Sequence, residues 1–182
     1  MLFLVGSFSV SATQVEGIEL PGEVTVGSQK LLLNGAGLRV KRKFGLNFKV
    51  YIGGLYLASK SQDAKAIINS SDVKILELVF LRSIDAATLR EAWSEGFEKN
   101  CQPNCDQARA GFDHFNGLMV DVQQNSRLKL TFAASDVTVD IKGKTSASGK
   151  ISGEAVRKAL LSIFIGEQPP TEDLKKALLG IN

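Results

Sequence analysis

The stretch Asn34–Leu57 reads NGAGLRVKRKFGLNFKVYIGGLYL. Within it Phe44, Leu46, Phe48, Val50 and Ile52 alternate with Gly45, Asn47, Lys49 and Tyr51, a period of two that marks a half-buried strand. Gly53-Gly54 interrupts the pattern and Leu55 and Leu57 take the opposite phase, so a bulge or bend is expected there. Leu38–Arg42, ahead of the turn, reads as the partner strand. Arg39 and Tyr51 therefore fall on two paired strands, amid apolar residues. A guanidinium is a rigid fork of donors suited to a carboxylate or a polarised oxygen, and a Tyr hydroxyl adds a further donor. The pair is a candidate ligand anchor. The plainer alternative is a solvated strand arginine with Lys41, Arg42 and Lys43 beside it, since Arg is mostly exposed.

Working outward, Val15–Leu20 and Gln29–Leu33 read as short strands separated by glycine turns. Ser61–Asn69 reads as a short helix with Ser61 as N-cap. Val73–Leu81 is apolar in both phases apart from Lys74 and Glu77, which predicts a central strand covered on both faces. Leu89, Trp93 and Phe97 recur at helical spacing within Asp85–Asn100, and Ala108, Phe112, Phe115 and Met119 form one stripe within Cys105–Val122. Leu128, Leu130 and Phe132, then Val137, Val139 and Ile141, alternate on either side of Ser135-Asp136 as an antiparallel hairpin does. Helices over Gly153–Ile165 and Thr171–Leu179 follow, with Pro169-Pro170 between them and Gly180 as the stop. Strands, helices, a hairpin and helices again make an α+β arrangement, an antiparallel sheet with helices on one face.

The chain has 182 residues, 44% of them hydrophobic, and a net charge of +3. That suffices for one domain, expected over 13–182, with a sizeable core. No stretch is long and apolar enough to span a membrane, so stable membrane insertion is not expected. The small charge, without an interleaved aromatic and basic stripe, gives no reason to expect nucleic acid.

Residues 1–12, MLFLVGSFSVSA, are apolar, uncharged and end in small residues. They read as the apolar region and cleavage site of a secretory signal, although the usual basic start is missing. The alternative is a buried N-terminal strand. Export, to a periplasmic or extracellular space, is the expectation. Cys101 and Cys105, in NCQPNCD, agree with it: an even cysteine count in an oxidising compartment reads as a disulfide, and a tight turn brings the two within reach. A metal site is the rival reading, but His114 is the single histidine, and a redox motif usually has two residues between its cysteines.

Most enzyme signatures are absent: there is no Gly-x-Ser-x-Gly elbow, Walker loop, His-Glu-x-x-His or dinucleotide fingerprint. No metal or cofactor is expected. His114 sits beside Phe112 and Phe115 on a helix with no nucleophile near it, and Glu91, Glu95 and Glu98 read as a solvated face.

The run GAGLR (Gly35–Arg39) followed by FKVYIGGLYL (Phe48–Leu57) resembles the chalcone isomerase family, whose members carry Gly-Ala-Gly-x-Arg before a Lys-x-x-x-x-Gly-x-Tyr-Leu strand. IGEQPPTEDLK (Ile165–Lys175) is similar to the family's Ile-Gly-Glu…Asp-Leu-Lys ending, and WSEGF (Trp93–Phe97) falls on its aromatic-rich helix. The resemblance runs in order from Glu16 to Gly180. It implies an open-faced β-sandwich with a cleft between a large sheet and a helical layer.

In the family's enzymes, which cyclise a chalcone to a flavanone, the arginine after Gly-Ala-Gly is the electrophile, and Arg39 matches it. Their next strand carries a threonine where this chain has Tyr51. Their tyrosine at the end of the central strand has no counterpart in Phe80-Leu81-Arg82-Ser83, and their late-helix Ser or Thr falls on Ile163. Members that bind fatty acids pair the arginine with a tyrosine on the following strand, which Arg39 and Tyr51 resemble. The favoured reading is therefore non-catalytic binding of a fatty acid or similar amphiphilic carboxylate. Its tail would lie against cleft-lining candidates Phe80, Trp93, Phe97, Phe112 and Ile163, all of them equally readable as plain core. The alternatives are an isomerase using Arg39 and, third, a structural or partner-binding exported domain.

Overall fold

The computed structural model describes residues 11–181. Apart from Ser11 and Ala12, the proposed leader lies outside the described residues. Seven strands form one antiparallel sheet in sequence order: β3 (Glu23–Val26), β4 (Gln29–Lys43), β5 (Leu46–Leu57), β6 (Lys74–Phe80), β7 (Arg127–Phe132), β8 (Asp136–Lys142) and β9 (Ser146–Ser152). A separate small hairpin of β1 (Thr13–Val15) and β2 (Ile18–Leu20) precedes them. The helices are α1 (Ala64–Asn69), α2 (Ala86–Asn100), α3 (Cys105–Gly117), α4 (Glu154–Ile165) and α5 (Glu172–Leu178). This is the expected α+β open-faced arrangement, and the central strand is β6, covered on both sides as its sequence requires.

The main core lies between the sheet and the helices. Leu55, Leu76, Leu78, Leu128, Leu130, Val137 and Val139 meet Phe97, Phe112, Phe115, Leu160 and Phe164 there. On the sheet's other face a smaller cluster of Leu20, Leu31, Leu33, Ile52, Tyr56, Ile75 and Val79 is closed by Val15 and Ile18 of the β1–β2 hairpin. Two apolar layers explain why β5 and β6 are apolar in both phases.

Several local expectations are corrected. Val15–Leu20 is not one strand, because Glu16 and Gly17 turn the chain with φ of 51° and 77°. Gln29–Leu33 and Leu38–Arg42 are halves of a single 15-residue strand. Its glycines are not a turn but a landing surface for α5: a Cβ on Gly35 would lie 2.8 Å from Leu178 O and from Gly180 N. Asn34 is the bulged residue beside it. Its Nδ2 donates to Ser61 O and Leu178 O, both at 2.9 Å, and its Oδ1 accepts from Ser61 N at 2.8 Å. Ser61 is thereby held outside α1, whose N-cap is Asp63. The phase change in β5 comes at Val50, where the pairing passes from Val40↔Lys49 to Arg39↔Tyr51, and not at Gly53-Gly54. Helix α3 stops at Gly117, short of Val122, which instead bridges to Ile84.

Cys101 and Cys105 form a disulfide that ties the C-cap of α2 to the first residue of α3, with their Cα atoms 4.7 Å apart.

Candidate ligand-binding cleft

A cleft of about 570 Å³ opens between the β4–β5 hairpin and helix α2, within the roughly 300–1,000 Å³ common for small-molecule sites. Arg39, Phe48, Val50 and Tyr51 supply its sheet wall; Leu89, Ala92, Trp93 and Gly96 supply its α2 wall. Ile163 of α4 forms its floor side, and Gln168, Pro169 and Pro170 its far rim. The bulge at Val50 adds an apolar side chain to the wall without disturbing the pairs on either side.

Arg39 and Tyr51 are directly opposed across β4 and β5, so their side chains share the helix-facing side of the sheet. Tyr51 is buried, its ring 6.0 Å from Phe80 edge-on and 6.3 Å from Trp93. Burial holds its phenol well above the usual range, and the Arg39 charge offsets part of that. The phenol therefore stays a neutral donor at any physiological pH. Arg39 is half-buried, and one Nη donates to Val40 O. Among the described residues no carboxylate forms an ion pair with it. A guanidinium on the wall of an apolar cleft, without an anionic partner among the described residues, retains donors for a ligand oxygen.

The far rim is fixed by its own hydrogen bonds. Asn100 accepts from Gln168 N at 3.0 Å and donates to Gln168 O at 2.9 Å, while Lys175 Nζ donates to Gly166 O at 2.8 Å. The mouth is strongly basic: Lys41, Arg42, Lys43, Arg82 and Lys99 all line it, against Asp85 and Glu95. Glu95 is held below the usual carboxylate range by its hydrogen bond from Lys99, then by the Lys99 charge, with Lys41 and Arg39 adding to the effect. Asp85 caps α2, accepting from Thr88 N and Thr88 Oγ1, which lowers its pKa and occupies both groups.

Of the sequence-derived candidates, Arg39, Tyr51, Trp93 and Ile163 meet at this cleft. Phe80 stands behind Tyr51 in the core. Phe97 and Phe112 stack on each other at 4.1 Å between α2 and α3, away from the cleft wall. Trp93 turns its indole N–H onto Met119 Sδ at 3.3 Å, so it offers the cleft an apolar face. Sequence reasoning passed over Phe48, Val50 and the Pro169–Pro170 rim. The unusual Pro-Pro after an apolar helix was the one signal that marked the rim.

A family model described as chalcone isomerase-like matches residues 12–180. The chain belongs to the chalcone isomerase-like family. The chalcone isomerase-like fold is seen also in a crystal structure of a fatty-acid binding protein from Arabidopsis thaliana, which is 18% identical and superposes with a TM-score of 0.75 over 93% of this chain and 96% of that one. No curated protein sequence matches this chalcone isomerase-like chain.

Proposed function

We propose that the cleft holds a fatty acid or similar amphiphilic carboxylate, without chemical turnover, its carboxylate on Arg39 and Tyr51 and its chain against Phe48, Val50, Leu89, Trp93 and Ile163. The observation that carries this reading is the Arg39↔Tyr51 pair on the cleft wall, a cation without an anionic partner beside a neutral phenol. The likeness in fold to a fatty-acid binding protein supports the ligand class. An isomerase would need further polar groups around the reacting oxygen, but the family resemblance puts Ile163 where its enzymes carry a Ser or Thr, and Phe80-Leu81-Arg82-Ser83, the region of their tyrosine, holds none.

The test is a titration with a long-chain fatty acid in vesicle-free buffer. Arg39→Ala removes a charge-assisted contact of about 2 kcal/mol, or roughly thirtyfold in affinity. Tyr51→Phe costs about 1 kcal/mol. Variants that bind as well as wild type would refute the anchor, and efficient chalcone cyclisation by the wild type would replace this reading with the isomerase one. We also propose export, which the apolar leader and the cysteine pair support; fractionation of the producing cells that finds the chain inside them, with residues 1–12 retained and two free thiols by intact mass, would refute it.

A further inference from the structure

The tip of the β4–β5 hairpin is unexplained by folding. Its two turn residues, Phe44 and Gly45, have φ of 51° and 75°, the left-handed region that a two-residue hairpin requires. Asn or Asp suits the first of these positions, whereas a bulky residue there is a steric outlier. Phe44 is nevertheless present, and it is 89% exposed. Leu46, the next residue but one, is 61% exposed. They are two of the three exposed large hydrophobic residues among those described, and they occupy one apex.

The apex has a collar of one sign. Lys41, Arg42 and Lys43 precede it and are exposed; Arg82, also exposed, lies over the Phe48 ring at 5.0 Å. Lys43 Nζ is 5.2 Å from the Phe44 ring centroid. Lys49, on the same hairpin, is already paired with Glu16 at 2.6 Å. The same basic residues line the mouth of the cleft, so the apex and the entrance are continuous. An aromatic and an aliphatic side chain at a projecting turn, ringed by cations, match the layered chemistry of an anionic bilayer surface: acyl boundary at the apex, phosphate headgroups at the collar. Two copies brought tip to tip would instead oppose like charges.

We infer that the β4–β5 hairpin is a docking element for anionic lipid bilayers, with Phe44 and Leu46 entering the headgroup boundary and Lys41, Arg42, Lys43 and Arg82 engaging lipid phosphates. The cleft mouth then faces the bilayer, the source or destination of an amphiphilic ligand. Docking itself needs no ligand in the cleft, so it stands or falls separately from the fatty-acid reading.

The experiment is co-sedimentation of the full chain with sucrose-loaded vesicles of phosphatidylcholine mixed with phosphatidylglycerol, beside pure phosphatidylcholine vesicles. Wild type should sediment with the mixed vesicles, and added salt should release it. The Phe44→Asn/Leu46→Thr variant should partition about tenfold less. Asn is favoured in that turn, so its unfolding midpoint should not fall, which separates lost docking from lost folding. The Lys41→Gln/Arg42→Gln/Lys43→Gln variant should lose about a hundredfold. The inference is overturned if wild type ignores the mixed vesicles, or if Phe44→Asn/Leu46→Thr sediments as wild type does. A dimer that this variant dissolves, without vesicle binding, also overturns it and assigns the tip to a second copy.

Discussion

Replacing Gly35 with Ala tests whether the Gly-Ala-Gly run serves helix docking. A Cβ at this position would clash with the carbonyl oxygen of Ala177 and lie 2.8 Å from Leu178 O and Gly180 N, all backbone atoms at the end of α5. None can rotate away, so α5 must move as a body. Full undocking exposes Leu174, Leu178 and Leu179, now buried, at ~1.5–3 kcal/mol each. That is about 4.5 kcal/mol even at the low end, while a partial shift costs ~1–3 kcal/mol in overpacking. A loss of about 3 kcal/mol is expected, moving the urea midpoint down by roughly 1 M. Gly37→Ala provides the internal comparison, because its Cβ meets a side chain, Ala177 Cβ, at 2.5 Å. Combining Gly37→Ala with Ala177→Gly should recover most of that loss, whereas Gly35→Ala with Ala177→Gly should recover little. Equal rescue in both pairs, or a Gly35→Ala midpoint within error of wild type, would refute the reasoning.

Two further outcomes concern stability. Tyr56 is fully buried with no partner for its hydroxyl among the described residues, so Tyr56→Phe should be neutral or stabilising by up to about 1 kcal/mol in the same urea assay. Lys74 is buried, donating to Ser70 O at 2.9 Å and Asp72 O at 2.8 Å, and desolvation, with Arg157 adding to it, pushes its pKa down to about 8. A lysine with a lowered folded pKa is charged in the unfolded chain and neutral in the folded one between about 8 and the ordinary value near 10.5, so stability should rise with pH across that window. Lys74→Met should flatten the rise, and an unchanged slope would assign it to other groups.

Hydrophobic period was enough to read the interior of this fold. Leu128–Phe132 and Val137–Ile141 announce their hairpin because one face is buried and the other wet, and β6 announces itself by lacking a wet face. Strand β9 went unread: its sequence, SASGKIS, is polar at an edge, and Gly149 faces Leu118 so closely that no larger apolar residue marks the inward side. The continuity of β4 was hidden for a related reason, since glycines that admit a helix look like glycines that make a turn. At the cleft, Arg39 and Tyr51 stood out as polar groups in an apolar pair. Phe97 and Phe112 have the same helical spacing as Trp93, and periodicity cannot separate a face turned to a cavity from one turned to another helix.

The bulge at Val50 separates the shape of this cleft from the scaffold that carries it. Lys49 opposes Val40 and Tyr51 opposes Arg39 whether or not a residue intervenes, and Phe48, Val50 and Tyr51 all reach the cleft side. An inserted residue of this kind acts as a spacer: it bulges the wall and adds local twist, the β4 register resumes on either side of it, and its carbonyl accepts from Leu81 N at 2.9 Å. Cleft width beside Arg39 and Tyr51 is thus adjustable by side-chain size at Val50, while the Arg39↔Tyr51 pairing stays fixed. The cleft can therefore narrow or widen beside this pair through a single substitution, without a change of register between β4 and β5.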